Sequence, residues 1–265
     1  MTRQTGMRIA AQGVQRSFGE GESRVDALND FDLEIEPGEF VSIVGPSGCG
    51  KSTFLEIVAG LLPASGGLVT LDGAPINRPH PDVGVVFQQD STFPWRTVLD
   101  NVAFGLQTRG VGRRERRERG REALSLVGLS DFGDRYPAQL SGGMRQRVAL
   151  ARTLVMDPKV ILMDEPFGAL DEQTRLILGD ELLKIWSNSG STVLFITHSI
   201  EESVMLSDRV VAMSARPGRI RQIIPVKLPR PRDSSLVGTP LFAELKGEIW
   251  NIIREESMRT LAAQT

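Results

Sequence analysis

Five short runs of apolar, often β-branched residues recur along the chain, at 39–45, 83–88, 159–165, 191–198 and 209–214, and each ends abruptly in a polar residue or glycine. Their apolarity is continuous rather than alternating, which predicts strands buried on both faces of a parallel sheet. Segments with helical spacing lie between them, at 52–60, 141–156 and 172–188. That βα alternation predicts an α/β layer core, with functional residues gathered at the carboxyl ends of the strands. Residues 8–38 and 67–73 alternate more and carry the turn signals Glu36-Pro37-Gly38 and Asp72-Gly73, so they read as antiparallel strands flanking the core. From about 89 to 140 strand character fades and a helical insertion is expected. A stiff Pro-Arg-Pro-Arg connector at 229–232 precedes a short amphipathic helix near 242–255.

Composition narrows the picture modestly. With 40% hydrophobic and 24% charged residues and a formal net charge of −2, the chain can build a core, and nothing global points to nucleic acid. No apolar run approaches the roughly 18–20 residues that span a bilayer. The start, Met1 to Gly6, lacks the apolar stretch of a signal peptide. A single cysteine, Cys49, leaves no intramolecular disulfide. Together these fit a reducing cytoplasm, so a role at a membrane would require a partner to hold the protein there. The one strong charge run, residues 109–121, reads either as a solvated helix face or as a contact for anionic lipid head groups.

The chemistry begins at Gly45-Pro46-Ser47-Gly48-Cys49-Gly50-Lys51-Ser52, followed by Thr53. This loop follows an apolar strand and opens a helix, the context its motif needs. Its glycines let successive N–H groups converge on phosphate oxygens, and the helix adds its positive dipole end. Lys51 supplies a point charge to the β- and γ-phosphates of a nucleotide, and the Ser52 hydroxyl a ligand for magnesium. Cys49 is either inert within the loop or made oxidisable by the helix N-terminus. A second stretch, Leu140-Ser141-Gly142-Gly143-Met144-Arg145-Gln146-Arg147, sets Ser141 as an N-cap and leaves Gly142 and Gly143 at an open helix start, a further anion site.

The two stretches together resemble the ATP-binding subunit of an ATP-binding-cassette (ABC) transporter, a resemblance running from about Arg8 to Arg232. It implies a P-loop NTPase cassette: an α/β fold with a mainly parallel core sheet, a flanking antiparallel β subdomain and an inserted helical subdomain. The expected organisation is an ATP-binding domain over 1–232, with the helical subdomain at about 89–157, and a short helical tail over 233–265. By the same resemblance Asp164 holds Mg2+, Glu165 is the general base, Gln88 reaches metal and water, and His198 contacts the γ-phosphate. Ser199 stands where relatives often have aspartate. Phe18 matches the aromatic on which adenine stacks, with a core phenylalanine as the alternative. Ser141, Gly142, Gly143 and Asp171 would serve the ATP bound to the other subunit of a head-to-tail homodimer.

Two further stretches, residues 90–98 with Phe93-Pro94-Trp95 and residues 214–220 with Ala215-Arg216-Pro217-Gly218-Arg219, resemble subunits importing nitrate, taurine or aliphatic sulfonates. Trp95 is then either core packing or part of a groove for a permease helix. The implied protein is the ATPase of an importer for a small anionic solute, lying peripherally on the cytoplasmic face of the membrane. It would work beneath permease subunits fed by an extracytoplasmic solute-binding protein, without nucleic acid. The competing reading is a soluble ATPase of the same superfamily acting as a clamp on nucleic acid or ribosomes. Such proteins usually carry two cassettes, long coiled-coil arms or zinc inserts, which this sequence lacks.

Overall fold

A computed structural model describes residues 6–89 and 91–262. The stretch 1–5, where a signal peptide was sought, and Asp90, which opens the stretch 90–98, lie outside the described residues. In chain order the elements are β1 (Ile9–Phe18), β2 (Val25–Ile35), β3 (Phe40–Val44), α1 (Lys51–Val58), β4 (Gly66–Leu71), β5 (Ala74–Pro75) and β6 (Val83–Val86). Next come α2 (Val98–Val102), α3 (Phe104–Thr108), α4 (Arg113–Leu126), α5 (Gly142–Leu154), β7 (Val160–Asp164) and α6 (Glu172–Ser189). The chain then runs through β8 (Thr192–Ile196), α7 (Ile200–Leu206), β9 (Arg209–Met213), β10 (Ile220–Pro225) and α8 (Pro240–Ala262). No helix among the described residues is long and apolar enough to cross a membrane.

The strands form two sheets, ordered β10-β9-β3-β8-β7-β6 and β2-β1-β4-β5. In the first, the five strands from β9 to β6 are parallel and β10 adds an antiparallel edge. Successive residues of the parallel strands enter two different cores. Phe40, Val44, Ile161, Met163, Val193 and Phe195 pack toward one, and Val41, Ile43, Val160, Leu162, Leu194 and Ile196 toward the other. This is the physical content of a continuous apolar strand: both faces are dry. The first core is closed by α2, α4, α5, α6 and α8, and the second by α1 and the antiparallel sheet. The result is an α/β cassette with a mainly parallel sheet, a flanking antiparallel sheet and helices inserted between β6 and β7.

The charge run is less solvated than expected. Arg119 bonds the Val155 carbonyl (2.8 Å) and Asp157 (2.5 Å), Arg117 pairs with Asp100 (3.1 Å), and Arg109 reaches the Pro81 carbonyl (2.6 Å). These guanidinium groups fasten the helical insertion to the α/β core and to itself. Beyond the connector, α8 runs from 240 to 262, and Phe242, Leu245 and Ile249 are buried in the first core. The connector itself ends on a buried cation. Arg232 is 6% exposed, and its guanidinium donates to the carbonyls of Ser207 (2.6 Å), Val226 (3.0 Å) and Leu228 (3.0 Å), with longer contacts to Val204 and Met205. Three of these carbonyls belong to the end of α7, where helical partners run out. Burial, with Arg230 beside it, pushes the Arg232 pKa down to about 10, so it stays charged at neutral pH.

Replacing Arg232 by methionine leaves those carbonyls without donors, each such buried group costing about 1–3 kcal/mol. Arg232→Met should lower unfolding free energy by about 3 kcal/mol in urea titrations; a loss under about 1 kcal/mol would remove the proposed anchoring.

Candidate functional site

All five parallel strands deliver their carboxyl ends to one edge of the sheet. β3 runs into the loop 45–50, β8 into Thr197 and His198, β7 into Glu165 and β6 into Gln88. The loop turns through left-handed residues at Gly48 (φ 73°) and Gly50 (φ 101°), which a side chain would oppose. At Gly50 a Cβ would also meet the Ala27 carbonyl oxygen at 2.7 Å. Lys51 is 8% exposed, and its Nζ donates to the carbonyls of Gly45 and Pro46, 2.9 Å each.

A cleft of about 360 Å³ opens over this loop, lined by Ser47, Gly48, Gly50, Lys51, Ser52 and Thr53, with Glu165 at one side. The same cleft is also lined by the apolar residues Phe18, Val25 and Ala27 and by Arg216. Phe18 is 41% exposed, which removes the core alternative, and Arg16 lies 4.6 Å above its ring. An apolar lining beside a phosphate-type cradle suits a nucleotide base. Gly45, Pro46 and Cys49, though part of the loop, do not line the cleft.

Asp164 is 9% exposed at the end of β7. Burial raises its pKa, opposed by a hydrogen bond from Ser52 and by the charge of Lys51, while neighbouring Glu165 adds to the rise. Among the described residues no cluster of three or more His, Cys, Asp or Glu could hold a metal alone. A hydroxyl and one buried carboxylate still fit Mg2+, which takes one or two protein oxygens and completes its shell with substrate phosphates and water.

Glu165 departs from expectation in its geometry. The run 159–165 was expected to be strand throughout, but the chain leaves β7 after Asp164, and Glu165 adopts φ 46°, left-handed for a non-glycine residue. Its N–H donates to the Ile196 carbonyl (2.9 Å), and its own carbonyl accepts from Gly168 (3.1 Å). The turn throws the carboxylate toward two neighbours. Gln88 Nε2 donates to Glu165 Oε2 at 3.2 Å, and His198 Nδ1 lies 3.3 Å from the same oxygen. Three strand ends therefore converge on one carboxylate oxygen.

Residues outside the expected set hold this arrangement. Thr197 donates to the partly buried Glu202 (2.5 Å), Ser199 caps α7 by accepting from the Glu202 N–H (3.3 Å), and Arg175 pairs with Glu202 at 3.2 Å. Ser199 thus supplies the capping oxygen of α7. Arg175 also donates to the Leu170 carbonyl (3.2 Å), tying the turn that carries His198 to the segment entering Asp171. Burial raises the Glu202 pKa. Neither residue belongs to a motif, so only packing identifies them. A separate cavity of about 210 Å³ lies beside this pair, between α6 and α7.

The second stretch behaves differently. Ser141 caps α5, accepting from the Met144 N–H at 3.2 Å, with Gly142 and Gly143 in its first turn. Asp171 caps α6 through Thr174 (2.9 Å and 2.6 Å), bonds that lower its pKa. None of Ser141, Gly142, Gly143 and Asp171 lines the cleft. Gln146, one turn into α5, donates to the Phe87 carbonyl (3.1 Å), so the glutamine loop and the Ser141 helix are joined. Trp95 is 73% exposed, which removes its core-packing reading.

The ABC transporter family profile matches residues 28–168. An uncharacterised ABC transporter ATP-binding protein of Methanocaldococcus jannaschii is 49% identical over 96% of this chain and 94% of its own. A taurine import ATP-binding protein of Rhizobium johnstonii is 48% identical, covering 90% of this chain and 93% of its own. A nitrate import ATP-binding protein of Synechocystis sp. is 42% identical over 94% and 96%. Among solved structures, an ATP-binding cassette seen as a dimer in a post-hydrolysis state with ADP and Pi superposes with a TM-score of 0.76 at 34% identity, covering 83% of this chain and 99% of that one.

Cys49 is 1% exposed, and burial raises its pKa, outweighing the nearby Lys51 charge. Of the two readings of this thiol, the inert one holds. A thiol reagent at pH 8 should label it only as the protein unfolds; labelling of the folded protein within minutes would contradict this.

Proposed function

The chain belongs to the ABC transporter family of ATP-binding proteins, and we propose that it is the ATP-hydrolysing, energy-coupling subunit of an importer for a small anionic solute of the nitrate, taurine or aliphatic-sulfonate type. The observation carrying this reading is the meeting of Gln88 and His198 on Glu165 Oε2 beside the Lys51 cleft. Adenine stacks on Phe18, and the phosphates lie in the cradle of residues 45–53. Lys51 exchanges the Gly45 and Pro46 carbonyls for phosphate oxygens. Mg2+, held by Ser52 and Asp164 with Gln88 nearby, would offset charge on the phosphates. Glu165 accepts a proton from the attacking water, while His198 and Gln88 fix the carboxylate and the water.

The site is completed by a second copy. Ser141 to Gly143 and Asp171 are presented away from the cleft, so they would close over nucleotide bound to the partner in a head-to-tail homodimer. Hydrolysis then removes an anion shared by two subunits and loosens them, a ligand-biased switch able to move attached permease subunits. The exposed Trp95, its ring centroid 5.7 Å from that of Phe93, belongs to the surface offered to the permease. That contact would hold the protein peripherally on the cytoplasmic face of the membrane, with the solute-binding protein acting from the far side. In this reading the ATP-binding domain runs to residue 232, with its helical insertion at about 89–157, and an appended helical segment follows over the described residues 233–262, the remaining bounds 1–5 and 263–265 lying outside them.

Glu165→Gln should retain ATP binding and lose at least ~100-fold in hydrolysis, the scale of removing a general base. Near-normal turnover would overturn the assignment. Ser141→Arg should abolish hydrolysis while sparing nucleotide binding, and an active monomer would contradict the shared site. Reconstituted with its permease, the ATPase should be stimulated by one of nitrate, taurine or an alkanesulfonate presented on the binding protein. An assembled complex indifferent to all of them would leave the motor and remove the solute class.

A further inference from the structure

Arg216 is an exposed residue in the loop joining β9 to β10, far in sequence from the phosphate-type loop, yet it lines the same cleft. Its Nε and Nη2 both donate to the Gly48 carbonyl, at 3.1 Å and 3.0 Å. The cleft therefore holds two cations, and both rest on backbone carbonyls of one loop: Lys51 on Gly45 and Pro46, Arg216 on Gly48. A carbonyl is a weaker acceptor for a guanidinium than an anionic oxygen, and Arg is built for bidentate recognition of phosphate. An arriving phosphate chain can draw both cations to itself.

The loop carrying Arg216 is held from three sides. The Gly218 N–H donates to the Ala27 carbonyl (2.9 Å) and its own carbonyl accepts from Asn29 (3.1 Å), stitching the loop to β2. A Cβ at Gly218 would collide with the Cys49 carbonyl, so only glycine permits this approach. Ser214 closes the loop on itself, its N–H donating to the Arg219 carbonyl at 2.9 Å. The third hold comes from α8: Glu256, 3% exposed, accepts from the Ala215 N–H at 3.2 Å. Arg259 (2.8 Å) and Arg221 (3.6 Å) flank that carboxylate. A chain of contacts runs from the buried face of α8 through Glu256 and Ala215 to Arg216 and the nucleotide cleft.

We propose that Arg216 is a nucleotide-contacting residue, binding the phosphate chain of a nucleoside triphosphate alongside Lys51, and that Glu256 is the positioning residue through which α8 holds it in the cleft. This rests on the reading of the cleft as a nucleotide site, and makes the C-terminal helix part of that site's support.

The test is equilibrium binding of a fluorescent ATP analogue to the full chain, with Lys51→Ala as a control for the cleft. Arg216 is exposed, so Arg216→Ala should fold; it should weaken binding about tenfold, the scale of a charge-assisted contact, with Arg216→Lys between it and the wild type. Glu256→Ala should weaken binding in the same direction, and Glu256→Gln, which keeps an acceptor for the Ala215 N–H, should restore most of the loss. In an Arg216→Ala background, Glu256→Ala should add nothing further. Thermal unfolding checks that each variant is folded; if Glu256→Ala is not, the comparison of Glu256→Gln with and without Arg216 replaces it. Binding within twofold of wild type in Arg216→Ala, while Lys51→Ala abolishes it, would overturn the Arg216 role and leave the nucleotide site standing. Additive losses from the two positions would overturn the positioning role of Glu256. A wild-type chain that binds no nucleotide would instead remove the reading on which the proposal rests.

Discussion

A strand buried on both faces can carry almost no polar side chain along its length, because each would need a partner in a dry layer. β3, β7 and β8 are buried at every position, and only Ser42, Thr192 and Asp164 interrupt their apolar sequence. Ser42 pairs with Ser207, and Thr192 donates to the Met7 carbonyl at 2.7 Å, so the first two exceptions are satisfied locally. The third sits at the edge, against Ser52. Parallel pairing aligns these strand ends, so polar groups expelled from the sheet accumulate along a single line. The candidate site is a consequence of that constraint: the fold concentrates its titratable groups in one place before any ligand is considered.

At that edge, charge is arranged by burial and by backbone oxygens together. Asp164 is disfavoured as an anion by burial and by Glu165, and favoured by Ser52 and Lys51. Its carboxylate is thus placed where a further positive charge would be welcome. The cations are spent on neutral carbonyls, which satisfies them without neutralising them. The left-handed turn at Glu165 adds direction: it breaks the run of the strand where the carboxylate must face Gln88 and His198 rather than the sheet.

Much of this was legible in the sequence because it depends on local patterns. The buried strands followed from continuous apolarity and the phosphate-type loop from its glycines and Lys51, while Gln88, Glu165 and His198 were singled out by the family resemblance, and the structure places them at neighbouring strand ends. The antiparallel edge β10 was not, since Ile220–Pro225 alternates weakly and gains its partner only when β9 is in place. Glu165 was read as the next residue of a strand because nothing in a non-glycine residue announces positive φ. The contacts of Arg175, Glu202, Arg216 and Glu256 could not be read for a common reason. Each acts on a segment distant in sequence, and a charged residue at an exposed-looking position in a helix or loop carries no signal of the carbonyl or hydroxyl it will meet. The arginines of α4 show the same limit: a run that reads as solvated is partly consumed by Val155, Asp157 and Asp100.

The helical insertion gives the remaining step of the argument. Gln146 binds the Phe87 carbonyl, Thr153 binds the Val85 carbonyl at 3.1 Å, and Arg152 binds the Ser91 carbonyl at 2.8 Å. Helix α5 is therefore fixed along the strand and loop that lead through Gln88, while its N-terminus at Ser141 stays outside the cleft. Arg175 joins the other exposed cap, at Asp171, to the turn bearing His198. Each face turned away from the chain's own nucleotide cleft is thus mechanically linked to a residue that touches Glu165. In the proposed dimer, nucleotide drawing a partner onto Ser141 and Asp171 would pull on Gln88 and His198 as well. Occupancy of one cleft and the geometry of the other then become a single equilibrium rather than two independent ones.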